Sequence, residues 1–340
     1  MLKKLLEVQG VSGNEEKVRS LILKEIKKHV KDVIVDKFGN IIAHKKGKGA
    51  KVMLAAHMDE VGLMIKSISA NGNIYVSPIG GVEYVSLVGE KVSIKTKQGP
   101  KIHGIVTFAE ISDGEEPEEK FSIEDLFVDT GLDKKELKKL GIGAGSFLEL
   151  VQPVDCLGCR DVISGKALDD RIGCYALIEL AKRLKKSSAD IYYVFTTQEE
   201  LGLYGSKTSI ASIDPDWAIV IDVTNADDAI EHGHVVTKRL GGGPVILVKD
   251  AEMISNLCIS DWLKKVAKKE KIRIQLDVSD FGTTDALSIS FEKGGIPTAV
   301  VGVAIRNMHT TVGIASLKDI LDCIKLLEAL LKNPPKVCIH

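Results

Sequence analysis

Hydrophobic and polar positions along the chain fall into two textures. Near the N-terminus, apolar Val18, Leu21, Ile22 and Ile26 recur at helical spacing. Ser12 and Glu15 ahead of them have the form of a capping box, so the pattern predicts a helix over residues 12–30. Strand-like VIVD, NIIAHK and KVMLAAHMDEVGLMI follow. From about 66 to 155 the runs shorten to NIYVSPIG, KVSIKT and KIHGIVTF, separated by Gly and Pro, which predicts a small all-β unit. Beyond 165, helices and strands alternate. Helices are expected at 169–186, 251–269 and 316–332. Strands are expected at 191–197 (IYYVFTT), 217–223 (WAIVIDV), IRIQLDV and 298–305 (TAVVGVAI). This alternation of helices with β-branched runs predicts an α/β fold, a sheet sandwiched by helices. The β-rich block interrupts that sheet. The expected domains are therefore a discontinuous one, 1–65 with 156–340, and an inserted β-barrel over 66–155.

Composition narrows the class. The 340 residues suit two domains, and 44% hydrophobic with 27% charged residues excludes a disordered or collagen-like chain. The 46 Lys+Arg against 47 Asp+Glu leave a net charge of −1, which argues against a general basic surface for nucleic acid. The N-terminal apolar stretch is broken by Glu7, Gln9 and Gly10, and no later run approaches a membrane span. The expectation is a soluble, cytoplasmic protein that meets neither membrane nor nucleic acid. Six scattered cysteines (Cys156, Cys159, Cys174, Cys258, Cys323 and Cys338) suit a reducing compartment. Cys156-Leu-Gly-Cys159 lacks the second pair of a zinc ribbon and reads as structural thiols. Excess Lys over Arg and dense charge lean toward a thermophile. The acidic stretch DGEEPEEK (113–120) reads as a solvated loop.

The expected strand ends carry the chemistry. KVMLAA runs into His57-Met58-Asp59, IYYVFTTQ into Glu199-Glu200, AIVI into Asp222, and TAVVGVAI leads to His309. Asp169-Asp170 opens the helix after Gly165-Lys166-Ala167, where a helix dipole favours an anion. Each residue alone has an ordinary structural reading, as an N-cap, a strand terminus, a loop charge or a packed histidine. In an open α/β sheet, however, ligands bind outside the carboxyl ends of the strands. Two histidines and several carboxylates at one such edge suit a pair of divalent metals sharing a carboxylate. Of the adjacent Glu199 and Glu200, one would then serve as base and the other as ligand. Glu231-His232-Gly233-His234 forms a rival metal pair without further acidic partners. No G-x-x-x-x-G-K-[ST] or G-x-S-x-G occurs, which disfavours phosphate cradling and a serine hydrolase.

At these residues the sequence resembles the tetrahedral (TET) and glutamyl aminopeptidase family of dinuclear metallopeptidases. The shared segments are GVSGNE, AAHMDEVGLMI, GKALDDRIGCYAL, TTQEELGLYGS, IDVT, TTDA, GGIPTAVVGV and RNMH. The resemblance implies His57, Asp169 and Asp222 around one metal, with Asp169 bridging to a second held by Glu200 and His309. It implies Glu199 as general base, and Asp59 as the carboxylate that orients His57. It also implies two zinc or cobalt ions per subunit, short peptides cleaved from a free amino end, and a mixed-sheet catalytic domain interrupted by a barrel used for dimerisation. Dimers would assemble into a homo-oligomeric, tetrahedral dodecamer. The chain departs from the family pattern at Asn225, Asn307, Thr311 and Gly313, and FAEISDGEEPEE replaces a usual P-P-H segment. Two other readings remain open, a different metal-dependent hydrolase acting on glycans or acyl amino acids, and a catalytically weak assembly protein.

Overall fold

The computed structural model describes all residues except 98, 110, 112–121, 230–235 and 336–340. The acidic stretch and the Glu231–His234 rival pair lie outside the described residues, as does Cys338.

Among the described residues, eleven strands form one large sheet. Its main path runs β1 (Asp32–Val35), β2 (Ile41–Lys45), β12 (Asp190–Thr196), β3 (Lys51–His57), β13 (Trp217–Asn225), β16 (Thr298–Arg306), β17 (Gly313–Ser316), β11 (Val162–Gly165) and β10 (Asp155–Cys156). β14 (Val245–Lys249) joins β16, and β15 (Gln275–Val278) joins β14. The four central strands β12, β3, β13 and β16 are mutually parallel. They are also nearly continuous apolar runs, with every residue of β16 except Arg306 buried, as a sheet covered on both faces requires. Helices Glu16–Ile26, Leu168–Arg183, Leu257–Glu270 and Leu317–Lys332 pack on one face. Helix Asp285–Phe291 covers the other, with Ile289 against Val220 and Val300 in its core.

The second unit is a closed barrel in the order β4 (Gly62–Ile68), β5 (Ile74–Ile79), β8 (Leu126–Asp129), β7 (Ile102–Phe108), β6 (Lys91–Ile94) and β9 (Phe147–Leu150). Closure leaves no free edge, and the interior is filled by apolar side chains such as Leu63, Ile94, Val106 and Leu148. The first barrel strand begins slightly ahead of residue 66, where the short β-like runs were expected to start. β4 starts at Gly62, because Leu63 and Ile65 already point into the barrel.

Two local expectations change, and one strand, β14, appears that the pattern did not predict. Ser12 does not cap a helix: it is buried and its hydroxyl donates to Asp59, while the helix begins at Glu16 behind an N-cap, Glu15, with no side-chain cap bond. The Gly-rich stretch at 241–243 leads into a strand, β14, held by pairing with β16. The helix expected at 251–269 starts later, at Leu257, where the Asn256 side chain caps it. Cys156 and Cys159 are exposed free thiols, and Cys174 and Cys323 are buried free thiols. Cys258 is disulfide-bonded, so the expectation of reduced cysteines throughout does not hold there. Among the described residues no helix is long and apolar enough to cross a membrane.

Candidate active site

Parallel pairing sets the site. Thr196 of β12 lies beside His57 at the end of β3, and Asp222 of β13 lies beside Gly302 of β16. Chain segments leaving these strands at the same edge carry Glu199, Glu200 and His309. Asp169 enters after β11, on the first residues of the Leu168–Arg183 segment, where Asp169 and Asp170 are not yet helical.

Two groups of three side chains result. Ligating atoms of His57, Asp169 and Asp222 lie within 4.8 Å of one another, and so do those of Asp169, Glu200 and His309. Asp169 belongs to both, with Oδ1 at 2.8 Å from His57 Nε2 and Oδ2 at 3.3 Å from His309 Nε2. Asp170, the other carboxylate of the pair, belongs to neither. It is fully buried and accepts the N–H of Gly173.

Asp59 ties the two turns together. One carboxylate oxygen accepts the Glu199 N–H at 3.1 Å, the other accepts the Glu200 N–H at 3.2 Å and the Ser12 hydroxyl. Its Oδ1 also lies 3.6 Å from His57 Nδ1, an atom with no hydrogen-bond partner. The barrel reaches the same place: the Glu83 N–H bonds the His309 carbonyl, and a Cβ on Gly81 would stand 3.0 Å from His309 Nδ1.

So many acids in a dry site resist ionising together. Burial, then the charge of Asp169, pushes Asp222 up to about 7. Burial and Asp169 likewise push Glu200 up to about 8. Burial raises Glu199 well above the carboxylate range; His57 opposes this, while Asp285, Asp222 and Glu200 add to it. Asp169 is the exception. Burial raises its pKa, but hydrogen bonds with His309 and His57 outweigh that and hold it low. The Asp169 hydrogen bond leads in raising His309 to about 9. A dicationic guest would relieve this crowding, and the oxygen and imidazole donors suit divalent ions.

Other buried polar groups form a support that the strand-end argument did not isolate. Glu60 accepts from Lys166 Nζ at 2.5 and 2.7 Å, from Arg171 at 3.3 Å and from the Gly10 N–H at 2.9 Å. Asp285 accepts from Thr196 and Ser206, each at 2.5 Å. Their signal was present, since Glu60, Lys166 and Arg171 sit inside the same segments as His57 and Asp169. Of the departures from the family pattern, Asn225 lines the large cavity beside the site and Thr311 is buried. Gly313 has a cause in packing, because a Cβ there would meet Leu168 at 2.9 Å.

Comparison with known proteins gives the family. The M42 glutamyl aminopeptidase family model matches residues 39–326. A putative aminopeptidase of Acetivibrio thermocellus is 39% identical over 96% of this chain and 96% of its own length. A lysyl aminopeptidase of Pyrococcus furiosus is 36% identical over 98% and 96%. The solved structure of the Pyrococcus horikoshii TET1 peptidase, described as able to assemble into a tetrahedron or a large octahedral shell, aligns with a TM-score of 0.86. It is 30% identical and covers 97% of this chain and 98% of that one. The chain belongs to the M42 glutamyl aminopeptidase family, and with it to the hydrolases of peptide bonds.

Proposed function

We propose that the chain removes N-terminal residues from short peptides with the help of two divalent cations, zinc or cobalt. His57, Asp169 and Asp222 would hold one, and Asp169, Glu200 and His309 the other. When bound, such ions supply Lewis acidity to a scissile carbonyl and lower the pKa of water. The chain's own residues do the rest. Glu199, in its ionised form, accepts the water's proton and passes it to the leaving amine. Asp59 holds Glu199 and Glu200 in place through their backbone N–H groups and faces His57 Nδ1. The observation that carries the reading is the sharing of Asp169 between two triads.

The barrel, taken as residues 66–155, would serve dimerisation, and the dimers would build a tetrahedral dodecamer. The TET1 relative's assembly supports this part of the reading. A cytoplasmic location belongs to it too. The disulfide at Cys258 is compatible with that location in a thermophile, whose intracellular proteins carry such bonds.

A panel of aminoacyl chromogenic substrates, run with added zinc and cobalt, tests the proposal. Turnover that a chelator abolishes and fresh metal restores is expected. No turnover of any aminoacyl substrate by metal-loaded protein would overturn it.

A further inference from the structure

Beside the two triads opens a cavity of about 550 Å³, much larger than a hydrolytic centre alone requires. It extends along one face of the sheet. β14 runs antiparallel to β16, with Val245 opposite Gly302 at the level of Asp222 and Leu247 opposite Val300 further down. Asp250 follows the end of β14, so it lies at the end of the cavity remote from Asp222. Between these ends the walls are apolar, supplied by Leu203, Val245, Leu247 and Val300. A guest must therefore be long, with an aliphatic stem.

The remote end has an unmet electrostatic demand. Asp250 is 3% exposed, and its Oδ1 accepts the N–H groups of Glu252 and Met253 at 2.8 and 2.7 Å. Its Oδ2 has no partner, and neither has the buried hydroxyl of Thr283, which lines the same cavity. An unpaired buried carboxylate oxygen is costly unless a donor arrives. The other charges nearby are already matched. Lys238 Nζ and Asp277 Oδ1 pair at 2.8 Å, and Thr224 donates to the second oxygen of Asp277. Asp227 accepts from Thr237 and the Lys238 N–H.

We propose that this cavity takes the side chain of the substrate's N-terminal residue and selects a long cationic one, lysine or arginine. The aliphatic stem lies along the valine and leucine walls, and the cationic head donates to Asp250 Oδ2 and Thr283 Oγ1. This rests on the aminopeptidase reading above, but its test does not need turnover. Calorimetric titration of zinc-loaded protein with free L-lysine, L-leucine and L-glutamate measures the preference directly. Lysine is expected to bind most tightly. Asp250→Asn keeps a carbonyl for the Oδ1 contacts, and it should weaken lysine binding roughly ten- to hundredfold relative to leucine. If that variant does not fold, Thr283→Val should weaken lysine selectively by a smaller factor. Equal or stronger binding of leucine or glutamate, or an unchanged lysine-to-leucine ratio in the variants, would overturn the assignment. Lysine-selective binding by a protein that hydrolyses no aminoacyl substrate would refute the peptidase reading and leave the cavity's selectivity standing.

Discussion

The barrel and the open edge of the large sheet bury side chains on opposite terms. Inside the barrel, Leu63, Ile94, Val106 and Leu148 are wholly buried and apolar, and Leu137 of the helix Lys134–Lys139 packs with them. At the sheet edge, Asp59, Glu199, Glu200, Asp222 and Asp169 are packed together with two histidines, and three of the acids have raised proton affinity. Burial in the first case stabilises the fold through removal of apolar surface from water. In the second it opposes folding, since charges are desolvated without full pairing. The contrast teaches that the groups that cost stability are the ones the proposed mechanism uses.

The contrast can be broken by mutation, most sharply at Glu199. Glu199→Gln is expected to cut turnover by about 10²–10⁴-fold, the range of a lost general base. Metal content by elemental analysis and the melting temperature should stay near those of the parent. A rate that does not change would remove Glu199 from the mechanism. In the barrel the signs reverse. Leu148, which pairs with Leu63 and Ile94, is fully buried. Leu148→Ala should destabilise by about 2–5 kcal/mol in denaturant unfolding, while kcat per folded molecule holds steady. A matching loss of kcat would show that the two regions are coupled more tightly than their separate cores suggest.

The smallest effect is expected at Asp133. Its carboxylate accepts the Glu136 N–H at 2.8 Å, and Glu136 returns the bond to the Asp133 N–H at 2.9 Å, a complete capping box on the helix Lys134–Lys139. Asp133→Ala should cost about 1 kcal/mol of stability by thermal unfolding and leave metal affinity untouched. A change in metal affinity would contradict the separation.

Local pattern made much of the fold legible. The terminal helix, expected at 316–332, spans Leu317–Lys332 with Ser316 as its cap, because its apolar positions repeat at helical spacing and a capping side chain stands in front. The parallel strands were visible as β-branched runs. β14 was not, since its identity depends on pairing with β16. Ser12 misled for a related reason. A serine three residues before a glutamate fits a cap, yet its tertiary neighbour Asp59, 47 residues away, takes the hydroxyl instead.

By itself, then, the sequence determined which apolar runs lead to which chemical groups, the order in which His57, Asp169, the Glu pair, Asp222 and His309 occur, and the presence of a β unit between two parts of an α/β sheet. The resemblance already named Asp169 as the shared residue, and the tertiary structure brings it, and not Asp170, into both triads. Only the tertiary structure decided that Asp59 fastens two turns, and that a cavity ends on the unpaired oxygen of Asp250. The reason is one of range. Hydrophobic period and capping act within a few residues, whereas His57 meets Asp169 across 112 positions and Asp59 meets Glu199 across 140.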